Sequence, residues 1–137
     1  MFRKEIKEQL LMFKNEAKAQ AERACALAAS PKEAELKDCV HRYVCAKFFL
    51  SPETDPERLL YNLACDSIEQ AINMKIPIAK ESETATTCGA AGSAAVKVAL
   101  LMVALRKDFH VDIPSEKLAF IKNTNELGHI VFESMRP

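Results

Sequence analysis

The sequence predicts an all-α protein, and three observations predict it. The 137 residues hold 20 alanines against three glycines and no tryptophan, a composition of helix formers. Apolar residues recur at spacings of three and four along most of the chain, the period of a helix buried on one side. No run longer than a few residues alternates apolar with polar as a half-buried strand would.

The first helix is expected over about residues 3–29. Ile6, Leu10, Phe13, Ala17, Ala21, Ala24 and Ala28 form one stripe, and no Gly or Pro interrupts it. The second half of that stripe is alanine, which favours close approach to another helix. Ser30-Pro31-Lys32-Glu33 reads as a boundary, with Ser30 as N-cap, Pro31 in the first helical position and Glu33 closing a capping box. The second helix is expected to run to about Phe49 on the stripe Leu36, Val40, Val44 and Phe48, making a helical hairpin with the first.

Two prolines within Ser51–Pro56 mark a linker. Thr54 or Asp55 is the expected cap of a third helix, with Pro56 in its first turn. Leu60, Leu63, Ser67 and Ala71 lie on its inner face, and it ends near Met74. Ile76-Pro77-Ile78 breaks it. A loop of about fifteen residues follows, ending in Cys88-Gly89-Ala90-Ala91-Gly92-Ser93, and loops of that length in compact domains are usually functional or mobile. Residues 94–107 carry one charge, Lys97, before Arg106, so this helix is expected to be the central, buried one, with Ser93 as its N-cap. Phe109–Pro114 reads as an extended connector. Ser115 caps a short helical turn through Phe120, and a last helix runs from about Asn125 to Met135 with Leu127, Ile130 and Val131 inward. The coarse organisation is a helical hairpin in residues 1–53 and a helical bundle in residues 54–137.

The bundle has a specific order. A long helix and a long loop lead to a central apolar helix. The words Leu101, Leu105 and Asp108-Phe109-His110-Val111-Asp112-Ile113-Pro114 follow, with Ile121 and Glu126-Leu127 further on. This pattern resembles the acyl carrier protein family, which includes peptidyl and aryl carrier domains. The likeness covers about 40 residues in its words and about 80 in its order of elements. It implies an acyl-carrier-like four-helix bundle, in which a serine at the start of the central helix holds phosphopantetheine, and an acyl group rides on the distal thiol. A helix N-terminus suits the phosphodiester, because its free N–H groups and dipole favour an anion. The chain departs from the family at this point. Counting back from Phe109 without gaps puts Ala95 at the attachment position and Ala94 where the family has Asp. The nearest serine is Ser93, two residues earlier, which makes Ser93 the candidate attachment residue. A second, lesser candidate is Ser67, because Leu63-Ala64-Cys65-Asp66-Ser67-Ile68 resembles the family's attachment word, although Pro77 would cut its helix short.

Nineteen Lys and Arg balance 19 Asp and Glu, which argues against a nucleic-acid binder working by bulk charge. Residues 1–55 carry 10 basic and 9 acidic side chains and residues 56–137 carry 9 and 10, so each half is close to neutral, whereas the resembled family is typically acidic on its central helix. The most apolar run, Val98 to Leu105, is far shorter than the ~20 residues of a membrane span. No secretory signal opens the chain, so the expectation is a cytoplasmic protein with no membrane association. The five cysteines form no CxxC pair, and His41 with Cys45 is the one spacing suited to metal; no second pair completes a site, so no metal is expected. His41, His110 and His129 are scattered, and Cys88, near a helix start, has no visible base, so no enzyme is expected. The expected function is therefore a divergent or degenerate acyl-carrier-like protein, non-catalytic, that carries a phosphopantetheine-linked acyl group or binds protein partners. The alternative is a helical assembly protein that forms a homodimer through its first helix.

Overall fold

The computed structural model describes the backbone of residues 2–74 and 90–136, and the side chains of residues 5–74 and 94–136. Among these residues the protein is all-α, with six helices and no strand: α1 (Phe2–Ala26), α2 (Glu33–Lys47), α3 (Leu60–Asn73), α4 (Ala90–Asp108), α5 (Ser115–Leu118) and α6 (Thr124–Met135). Helix α1 packs on α2, α2 packs on α6, α3 packs on α4, and α1 also touches α4.

The alanine stripe of α1 is used inside the chain. Ala17, Ala21 and Ala24 are buried, and small side chains there let α1 lie close against α2. Helix α2 is the spine, and eight of its 15 residues are buried, Leu36, Val40 and Tyr43 among them. One apolar core joins residues of α1 and α2 to Leu63, Leu105, Phe109, Ile113, Leu127 and Val131. Residues 1–53 and 54–137 thus contribute to the same core.

Several boundaries differ from those expected. Helix α2 begins at Glu33, after Lys32 in extended backbone, with no side-chain cap. The capping box is not made because the Glu33 carboxylate is engaged elsewhere, 3.0 Å from His129 Nδ1 and 3.7 Å from Lys37 Nζ. Helix α3 starts at Leu60, four residues beyond Pro56. The capping side chains before it organise the linker instead. The Thr54 hydroxyl donates to the Ser51 carbonyl at 2.7 Å, and Asp55 Oδ1 accepts from the Glu57 N–H at 2.9 Å. The first N–H of α3 is satisfied by the Lys122 carbonyl at 2.7 Å. Helix α4 starts at Ala90, so Ser93 lies within its first turn and is not its N-cap.

At the end of α4, Phe109 and His110 form a helix-ending turn. His110 is left-handed (φ 54°), and the Val111 N–H reaches back to the Arg106 carbonyl at 3.2 Å. Phe49 ends α2 in the same way (φ 59°), with the Leu50 N–H on the Cys45 carbonyl at 2.8 Å. Both positions carry a side chain where glycine is usual. Helix α6 has a complete cap: Asn123 Oδ1 accepts from the Glu126 N–H at 2.8 Å, while the Glu126 carboxylate accepts from the Lys122 N–H at 2.7 Å.

Candidate functional site

The region that the sequence singles out is the start of α4. Ser93 sits in its first helical turn, and its side chain lies outside the described residues, as do Cys88 and the rest of the preceding loop from residue 75. Ala94 is fully buried and anchors the helix on the core, while Ala95 is exposed. The position that the acyl-carrier spacing assigns to an attachment serine therefore faces solvent, and it holds a methyl group. An alanine offers no oxygen for a phosphodiester.

Ser67 is placed very differently. It lies in the middle of α3 with no exposure, and its hydroxyl is the one buried side-chain N or O atom among the described residues without a hydrogen-bond partner. A modifying enzyme needs an exposed hydroxyl, and this one is packed away from solvent. It is a small residue in a helix packing face.

Helix α4 is not buried all round. Val96, Leu100 and Val103 are 43, 62 and 55 % exposed, and their spacing of four and three sets them in one row. The opposite face, Ala94, Leu101, Met102 and Leu105, is buried. The outer row was not separable in the sequence, because every face of α4 is apolar and no polar stripe marks the outside. Lys97, beside the row, is partly buried. Its ammonium stands 5.7 and 5.5 Å from the ring centroids of Phe48 and Phe49, and desolvation lowers its pKa.

The acyl-carrier word at the other end of α4 is tied into the core. The Tyr43 hydroxyl donates to the Asp108 carboxylate at 2.6 Å, and the Tyr43 ring meets Phe109 edge-on, with centroids 4.9 Å apart. Burial, and then the bond to Asp108, raises the Tyr43 pKa and keeps the phenol protonated. An Arg106 guanidinium N–H donates to the Ile113 carbonyl at 3.2 Å, so the Val111–Pro114 connector is held against the helix end.

The histidines stand apart from one another. His41 is buried; Nε2 lies 3.0 Å from the Pro52 carbonyl, which only accepts, and Nδ1 lies 2.7 Å from the Thr124 hydroxyl. The Nε2 N–H therefore donates to the Pro52 carbonyl. Cys45 Sγ is 3.6 Å from Nε2, so the pairing of His41 with Cys45 on one helix face is real. Among the described residues no three His, Cys, Asp or Glu side chains gather into a group that could hold a metal ion. His129 is half exposed between two carboxylates, 3.0 Å from Glu33 and 3.1 Å from Glu133, which joins α2 to α6. No described helix is long and apolar enough to cross a membrane.

Comparison of the chain with family models, with curated proteins and with solved structures gives no match.

Proposed function

We propose that this chain is a degenerate acyl-carrier-like helical protein, non-catalytic, that binds a protein partner through the outer face of α4. The observation that carries the reading is Ala95. It is exposed at the position where the resembled family bears its attachment serine, and the exposed apolar row Val96, Leu100 and Val103 lies on the same helix. Three exposed aliphatic side chains in one row favour an apolar protein surface over the basic patch that an acidic carrier helix would meet. The four described cysteines are free thiols, which accords with a reducing, cytoplasmic setting.

The test is the intact mass of the full chain after incubation with a promiscuous phosphopantetheinyl transferase and coenzyme A. The degenerate reading expects no gain. A gain that disappears in Ser93→Ala would establish the carrier version, with phosphopantetheine on Ser93. Binding is tested by cross-linking in extract of the protein's own host, comparing the parent with Leu100→Glu/Val103→Glu. A cross-linked partner present with the parent and lost with the variant supports the reading, and an unchanged pattern removes α4 as the binding face.

Assembly through α1 is the second reading. Its buried alanine stripe is already occupied by α2, but Leu11 and Met12 are 55 and 70 % exposed. Light scattering of the full chain and of Leu11→Glu/Met12→Glu decides it. A dimer that the variant dissociates supports assembly, and a monomeric parent removes it.

A further inference from the structure

We propose that the groove between α1 and the ends of α2 and α4 binds a small phosphate-bearing anion. The groove has a volume of about 760 Å³, within the size range of small-molecule sites. Among the described residues neither Ser67 nor a residue of the exposed row of α4 lines it, and it shares with the Asp108–Pro114 word only Asp108 and His110.

Its charge pattern points to the ligand class. Lys14 and Lys18 of α1 and Lys47 at the end of α2 line it, together with His110. Among the described residues none of these lysines is in an ion pair with a carboxylate. Lys14 and Lys18 are four apart on one helix, so their like charges repel and weaken α1 unless an anion lies between them. Two carboxylates face the same space, Glu22 and Asp108. Asp108 is already engaged by the Tyr43 hydroxyl at 2.6 Å. The Lys47 ammonium is held 5.6 Å from the Tyr43 ring centroid, which fixes one cation beside the Asp108 end of the groove. Three ammonium groups against two carboxylates leave an excess of positive charge with point-charge donors, and lysine binds phosphate as a point charge.

The floor decides the rest of the ligand. Ala17, Ala21 and the half-buried Cys25 are small side chains, and Leu11 closes one end. They leave room for an organic group beside the anion. The Cys25 thiol donates to the Asp108 carbonyl at 3.5 Å, so this floor is tied to the end of α4. The geometry therefore favours a phosphomonoester with a compact apolar part over the bare ion.

The test is an NMR titration of the full chain, at constant ionic strength, with phenyl phosphate and separately with inorganic phosphate. Saturable shifts confined to residues 11–25, Lys47 and residues 108–110 are expected, with phenyl phosphate binding more tightly. Lys14→Gln/Lys18→Gln/Lys47→Gln should weaken binding at least about tenfold, equal to ~1.4 kcal/mol. If the triple variant loses its helical circular dichroism, Lys14→Gln/Lys18→Gln alone carries the comparison. Equal affinity for the two probes keeps the phosphate assignment and names the free ion as ligand. Shifts scattered over lysines throughout the protein, no shifts at all, or unchanged affinity in the folded variant would overturn the proposal.

Discussion

Tyr43 of α2 donates a 2.6 Å hydrogen bond to Asp108 at the end of α4, and this contact joins the N-terminal hairpin to the later helices. The ring is fully buried and packs edge-on against Phe109, so the hydroxyl sits where an apolar contact ends and a half-buried carboxylate begins. Tyr43→Phe keeps the ring and leaves Asp108 without that donor. The expected loss is ~1.5–3 kcal/mol by urea denaturation, the range for a hydrogen bond to a charged group. The pH dependence has a definite sign. The folded pKa of Tyr43 is raised, first by burial and then by Asp108. Its contribution is fully present below the unfolded tyrosine value of about 10, and it falls as pH rises above that toward the folded value. The parent should therefore lose stability above pH ~10 faster than Tyr43→Phe. Parallel curves for the two proteins would show that the phenol is not responsible.

Gly128 lies inside α6 where that helix crosses α2. A methyl group there would meet the Lys37 Cα at 2.6 Å and Cγ at 2.8 Å. In an open helix, Gly→Ala stabilises by ~1 kcal/mol through propensity. Here the backbone of α2 must move, and overpacking of that kind costs ~1–3 kcal/mol, which outweighs the gain. Gly128→Ala is expected to lower the melting temperature. A rise would mean that α2 and α6 are further apart than this contact.

The helices were legible because each carries an apolar stripe with the helical period, and because Pro31, Pro52, Pro56 and Pro114 fall at breaks. The starts were less legible, since caps are competitions. Glu33 matches a capping box in spacing, but His129, 96 residues away, takes its carboxylate. Asp55 has the chemistry of an N-cap, but it closes a turn before the helix. Asn123 with Glu126 is the contrary case, an Asn-x-x-Glu spacing whose cap forms as the local sequence alone would have it. The outer face of α4 was hidden for a different reason: Val96, Leu100 and Val103 are as apolar as the buried Leu101 and Leu105, so periodicity had no contrast to report. The partnership of Tyr43 with Asp108 is a tertiary contact across 65 residues, and no local pattern encodes it.

The cysteines should separate by burial. Cys39 and Cys45 have at most 1 % exposure, and burial pushes the Cys45 thiol up to about 11. At pH 8 about one Cys45 in a thousand is then thiolate, the reactive form. Burial also raises the Cys39 thiol. Iodoacetamide labelling read by peptide mass spectrometry should leave both unmodified in the folded protein and label both in 6 M urea (roughly full unfolding for a domain of this size). Rapid labelling of Cys45 in the native protein would show that α2 opens on the timescale of the reaction.

The Ser67 hydroxyl is fully buried in α3 without a hydrogen-bond partner, which is an energetic debit in the folded state. A desolvated hydroxyl without a bond costs ~1–3 kcal/mol, whereas deleting one oxygen leaves a cavity smaller than a methyl group. Ser67→Ala also improves helix propensity slightly. The variant should therefore be as stable as the parent or up to ~1 kcal/mol more stable, measured by urea denaturation. A clear destabilisation would show that the hydroxyl has a bonding partner in solution. Ser67→Asp separates packing from polarity. It places a charge at the same buried position of α3, and it should unfold the protein at neutral pH if that position is as closed as its lack of exposure indicates.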